Sequence, residues 1–133
     1  MPHANIELVQ RVYGAYMQGD RDAVRAAFDP GIRWHNSGYD PTAGTLDGPD
    51  AVLAYLMGEN HMEDYRLEVI DMLASDERVA VVAKTSGRIG DQALVNQFNQ
   101  LLHLRGGRVV EVWNYNWDQR GLAEAFAAVA AAA

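Results

Sequence analysis

The sequence predicts an α+β domain with helices first and an antiparallel sheet after them. Two observations carry that expectation. Up to about residue 57 the apolar residues recur mainly at helical three- and four-residue steps. After Gly58 the chain alternates or runs apolar with β-branched residues, and tight-turn sequences punctuate it. Helices followed by a meander pack on one face of the sheet.

Ile6, Val9, Tyr13, Tyr16 and Met17 define an amphipathic helix over residues 5–18, and Gly19-Asp20 stops it. Asp20 can cap a short second helix with Val24, Ala27 and Phe28 inward. Asp29-Pro30-Gly31 is a turn, Ile32 to Asn36 a short strand, and Ser37 to Gly48, rich in Gly, Pro and Asp, a loop. Pro49 suits the start of a third helix, where its missing N–H costs nothing, with Val52, Leu53, Tyr55 and Leu56 inward. Residues 64–74, 78–89, 92–104 and 108–118 are expected as four hairpin-linked strands. A helix over 122–130 follows. No repeat or linker interrupts the chain, so residues 1–133 are expected to form one domain.

Composition narrows the chemistry. The 133 residues carry a net charge of −7, which disfavours nucleic acid or an anionic membrane surface as partner. Cysteine is absent, so disulfides, a thiolate nucleophile and Cys-based metal sites are excluded. Lys84 is the single lysine and the single candidate for Schiff-base chemistry. His3, His35, His61 and His103 lack metal-ligand spacing, and no Gly-x-Ser-x-Gly elbow or phosphate loop occurs. Asp20, Asp22, Glu59, Glu63, Asp64, Asp76 and Glu77 are expected as solvated caps and turn residues. No basic, apolar leader opens the sequence and no stretch approaches the ~20 apolar residues of a membrane span, so a cytoplasmic protein is expected.

Several short motifs fall in a telling order: Tyr16-Met17-Gln18-Gly19-Asp20, Phe28-Asp29-Pro30, Trp34-His35, Gly48-Pro49-Asp50-Ala51-Val52, Gly107-Arg108-Val109-Val110-Glu111, and Trp113 with Asp118-Gln119. Together they resemble the nuclear-transport-factor-two-like superfamily, specifically its SnoaL-like branch. The resemblance implies a cone: a curved antiparallel sheet wrapped around N-terminal helices and enclosing a pocket. It also implies cofactor-independent chemistry, although the superfamily hosts isomerases, cyclases, epoxide hydrolases, dehydratases and non-catalytic binders.

Side chains alternate across a strand, so the last strand offers two sets. By resemblance Val110, Val112, Asn114, Asn116 and Asp118 face the cavity, while Val109, Glu111, Trp113, Tyr115 and Trp117 lie outside, where the aromatics suit a homodimer contact. The opposite register is the alternative. Asp118 matches the carboxylate at this strand end in many SnoaL-like sequences and is the leading acid/base candidate; an N-cap for the last helix is the competing reading. His35 matches a recurrent Trp-His, and histidine is a residue type suited to proton transfer, yet its parity opposes Trp34 and Asn36. The family's base position falls on Asp40 when counted back from Gly48 and on Asn36 when counted forward from Phe28. Where relatives carry other catalytic groups this sequence offers Gln100, Val12 beside Tyr13 and Tyr16, Lys84-Thr85-Ser86, and Asn114. Amides replace carboxylates, and an amide cannot shuttle protons at neutral pH.

The expectation is therefore an enzyme performing isomerisation, cyclisation, dehydration or epoxide opening on an apolar cyclic or polyketide-like substrate. Asp118, His35 and Asp40 are its catalytic candidates. Trp34, Asn36, Tyr39, Tyr55, Phe98, Gln100, Asn114 and Asn116 contact substrate, and no metal or cofactor is needed. The alternative is a non-catalytic binding or dimeric scaffold protein.

Overall fold

The computed structural model describes residues 3–58 and 62–132, so Glu59, His61 and the extreme termini lie outside the described residues. Helix α1 (Ala4–Met17) is capped by the His3 side chain, which accepts from Asn5 N. Asp20 caps α2 (Arg21–Ala26) by accepting from Ala23 N, and Pro49 opens α3 (Pro49–Met57). Strands β1 (Phe28–Asn36), β2 (Gly44–Asp47), β3 (Glu63–Ala74), β4 (Arg78–Ile89), β5 (Gln92–Arg105) and β6 (Arg108–Asn116) precede α4 (Gln119–Ala132). They form one curved, unclosed six-stranded sheet in the order β2-β1-β6-β5-β4-β3.

The expected α+β cone is present, with three changes of detail. First, β1 pairs parallel to β6, so the sheet is mixed and not wholly antiparallel. Second, residues 44–47 of the expected loop form β2, an edge strand held against β1 through Trp34–Leu46 and Asn36–Gly44. Third, Phe28 begins a strand and does not end a helix. The Asp29-Pro30-Gly31 turn is absorbed as a bulge of four residues opposite Val110, with Asp29 Oδ2 accepting from Gly31 N at 2.8 Å.

The interior is apolar. Val9, Val24, Val52 and Leu53 from the helices meet Ile32, Val81, Val109 and Val112 from the sheet, all fully buried. Each such side chain contributes roughly 1.5–3 kcal/mol. Exposed ion pairs such as Arg33–Asp47 contribute at most about 1 kcal/mol, so burial sets the fold. Met17 was expected inward but is 62% exposed, because α1 ends there and turns its last residue outward. The β5–β6 hairpin turns on Gly106 and Gly107, both at positive φ, as a two-residue turn of this hand requires.

A second bulge sets the β6 face pattern. Adjacent His103 and Leu104 pair with Glu111 and Val109, leaving Val110 as the extra residue. Val109 and Val112 therefore both point inward, and the inward position expected for Val110 passes to Val109. Beyond the bulge the alternation resumes, with Asn114 buried and Tyr115 exposed.

Candidate functional site

Inside the cone the sheet and helices line an open-mouthed cavity of about 430 Å³. One end is lined by Met62, Ile89, Leu122 and Phe126, where α4 packs over the sheet. The remainder carries most of the polar side chains, delivered by strand alternation: Asn96, Phe98 and Gln100 from β5, Asn114 and Asn116 from β6, Thr85 from β4 and Tyr65 from β3. Tyr13 and Tyr16, three residues apart on α1, share the helix face toward the sheet.

These groups are tied to one another. The Tyr13 hydroxyl donates to Gln100 Oε1 at 2.5 Å, and Tyr16 donates to the Tyr65 oxygen at 3.4 Å. Asn96 Nδ2 donates to Asn116 Oδ1 at 2.9 Å, and Trp34 Nε1 to Asn36 Oδ1 at 2.9 Å. The Trp34 ring packs 6.1 Å from Tyr55. Burial pushes the Tyr55 hydroxyl up to about 12, with Tyr16 and Asp40 adding to the rise and a hydrogen bond with Asn36 opposing it. Burial likewise raises Tyr13 and Tyr65; proximity to Tyr16 raises both further, through a hydrogen bond as well for Tyr65. These three phenols are therefore neutral hydrogen-bond donors at neutral pH. Among the described residues no carboxylate, imidazole, lysine or arginine lines the cavity.

The expected site residues separate into three groups. Trp34, Tyr55, Phe98, Gln100, Asn114 and Asn116 line the cavity. Asn36 and Asp40 are buried just behind the wall. Asn36 Nδ2 donates to the Thr42 carbonyl at 3.0 Å. Asp40 Oδ1 accepts from Thr42 N at 2.7 Å and from the Thr42 hydroxyl, while Oδ2 has no hydrogen-bond partner. Pro41 and Thr42 are themselves wall residues.

Tyr39, Asp118 and His35 are elsewhere. Tyr39 is 66% exposed and does not line the cavity. Asp118 is exposed and caps α4, its Oδ1 accepting from Gly121 N at 2.9 Å; the cap absorbs the carboxylate expected to do acid/base work. His35 faces the outer side of the sheet, opposite Trp34 and Asn36 as the strand period demands. Its Nε2 is 2.6 Å from Glu111 Oε2, its Nδ1 is 2.8 Å from Thr45 Oγ1, and its ring stacks on Trp113 at 5.4 Å. The same outer face carries Tyr115, while Trp117, just past the strand end, is 87% exposed.

Of the other polar wall residues, Tyr13, Tyr16 and Thr85 fall at or beside positions that the resemblance marks, while Tyr65 and Asn96 do not. The i, i+3 pair Tyr13/Tyr16 and the alternation Asn96-x-Phe98-x-Gln100 were the signals available. Tyr65 could be placed only once β3 had an edge position in the sheet. Among the described residues no three His, Asp or Glu side chains converge as a metal site, and no helix is long and apolar enough to cross a membrane.

A cone packed with helices around an open-mouthed, amide- and phenol-lined cavity, neutral among the described residues, defines the class of small α+β pocket proteins. The SnoaL-like domain profile matches residues 9–112, and the chain belongs to that family. Among solved structures it is similar to an NTF2-like protein from Burkholderia xenovorans LB400, at 26% identity over 92% of this chain and 95% of that one, with a TM-score of 0.80. It is also similar to Bal32a from a soil-derived mobile gene cassette, at 24% identity, the same coverage and a TM-score of 0.84. A candidate SnoaL-like polyketide cyclase from Jannaschia sp. CCS1 shares the fold at 18% identity, with 92% of each chain covered and a TM-score of 0.78. No curated protein matches the chain.

Proposed function

We propose that the protein is a cofactor-independent proton-transfer enzyme of isomerase or cyclase type, acting on an uncharged, largely apolar cyclic molecule. The supporting observation is Asp40. It is the one charged side chain buried among the described residues, and its Oδ2 makes no hydrogen bond. Burying a carboxylate oxygen without a partner costs stability, and such groups concentrate at functional sites. In this reading Asp40, which sits behind the wall residues Pro41 and Thr42 and within electrostatic reach of Tyr55, meets the substrate through that segment of the wall. It removes a proton from a carbon next to the substrate carbonyl and returns it to another carbon. The developing enolate oxygen is held by neutral phenols and amides, with Tyr16, Tyr65, Gln100 and Asn114 as donors. Donors aimed at developing charge in a dry site are worth several kcal/mol, about 3–4 per group in the best cases. The wall selects against charged ligands, because among the described residues nothing on it pairs an ion.

The same neutral wall favours a second reading, a binding protein without turnover. The two separate on one variant. Asp40→Asn should abolish turnover of a neutral bicyclic ketone while leaving its binding intact; unchanged turnover would remove the catalytic reading and leave the binding one. A second copy docked on the outer face around Trp113 and Tyr115, and a cytoplasmic location, belong to the same proposal.

A further inference from the structure

Outside the cavity, α1, α2, α3 and the free edge of β3 frame an open groove. Its apolar part is Met17, Leu56, Met57 and Leu67, and Tyr16 and Tyr65 form the partition between groove and cavity. Arg21, at the start of α2, and Arg66, on β3, both line it, and no carboxylate does among the described residues. This is unexpected in a chain of net charge −7. Four other arginines are taken up by acids: Arg25 by Asp50, Arg33 by Asp47, Arg78 by Glu77 and Arg88 by Glu63 and Asp64. Arg21 and Arg66 form no ion pair among the described residues, and Asp50, an acid that Arg21 acts on electrostatically, is already bound by Arg25. Two arginines lining the same groove as methionine and leucine side chains match a planar anion with an apolar body. Methionine adapts to varied apolar shapes, which suits such a floor.

We propose that this groove is a second small-molecule site that takes a free organic carboxylate. The apolar body lies on Met17, Leu56 and Met57, and the carboxylate lies between Arg21 and Arg66. The site is chemically opposite to the cavity, which among the described residues has no cation to hold an anion, and it stands whether or not the cavity is catalytic.

The test titrates the isotope-labelled full chain with 2-naphthoate and, separately, with the uncharged 2-naphthamide, following backbone amide shifts. Naphthoate should perturb Gly19, Arg21 and Arg66 and bind about tenfold more tightly than naphthamide, a preference that added salt reduces. The double variant Arg21→Gln/Arg66→Gln, which alters only exposed side chains, should lose that preference while keeping the wild-type circular dichroism. Asp40→Asn should leave naphthoate binding unchanged, which separates this site from the cavity reading. Equal affinity for the two probes, shifts centred on Gln100 and Asn114, or undiminished naphthoate binding in the double variant would each overturn the proposal.

Discussion

Replacing Asp118 and Gly121 singly and together tests whether the carboxylate at the end of the sheet is a cap. Asp118 Oδ1 accepts from Gly121 N at 2.9 Å, and the Asp118 carbonyl accepts from Leu122 N at 3.1 Å, so the first turn of α4 is tied to this residue. Losing a cap of this type costs about 1 kcal/mol, and Asn caps as well as Asp does. Asp118→Ala should therefore destabilise by about 1 kcal/mol and Asp118→Asn by only a few tenths. Gly121 sharpens the test. A Cβ there would stand 2.2 Å from Asp118 Oδ2 and 2.7 Å from its carboxyl carbon. Gly121→Ala in the wild type must displace the capping carboxylate and forfeit that ~1 kcal/mol, partly offset by the better helix propensity of Ala. In the Asp118→Ala background the obstruction is gone, and the same substitution should stabilise by roughly 0.5–1 kcal/mol. The sign of the Gly121→Ala effect thus reverses with the residue at 118. Urea unfolding followed by circular dichroism gives the four energies, and hydrogen exchange at the Gly121 and Leu122 amides reports the helix end directly. If Asp118→Asn were as harmful as Asp118→Ala, or Gly121→Ala were stabilising in both backgrounds, the cap would not be the residue's task.

Three further outcomes follow from the same geometry. Gln100→Leu leaves the Tyr13 hydroxyl without its acceptor and should cost about 1–3 kcal/mol, and adding Tyr13→Phe should recover part of it; denaturant melts of the two variants decide this. Tyr55 is raised in the folded state to about 12 from 10.0, so its proton is held more tightly folded than unfolded. Its contribution to stability is complete below pH 10 and is lost as pH rises through about 12, and a Tyr55→Phe variant should show a shallower alkaline decline in that window. On the outer face, Tyr115→Asp should shift sedimentation from dimer toward monomer, whereas a wild type already monomeric at high concentration would remove the docking proposal.

What the sequence made legible depended on whether local rules were sufficient. Strand alternation put Trp34 and Asn36 on the face opposite His35, and Asn114 and Asn116 on the face opposite Trp113 and Tyr115; which face meets the cavity came from the family resemblance. Turn residues marked the hairpins, and the last one, at Gly106-Gly107, has the backbone its residues imply. The bulges were not legible. Nothing in Val109-Val110-Glu111 shows that Val110 is the extra residue, because that follows from the pairing of β6 with β5. Nor did Gly44–Asp47 carry a strand signature; it becomes β2 only because Trp34 and its neighbours offer it an edge. Asp118 was ambiguous for a chemical reason, since an aspartate before a helix is equally apt as cap and as catalyst until its hydrogen bonds are known. The tyrosine cluster was hidden by distance, with Tyr16 and Tyr65 meeting only when α1 is laid against the sheet.

The most direct test of the central claim is deuterium incorporation next to the carbonyl of a neutral bicyclic ketone in deuterated buffer, measured by proton NMR for wild type and Asp40→Asn. The wild type should accelerate exchange well above buffer and the variant should fall back to the buffer rate, with both proteins showing the same ketone-induced shifts at Gln100 and Asn114. Exchange no faster than buffer in the wild type, or undiminished in the variant, would contradict Asp40 as the proton-transfer group.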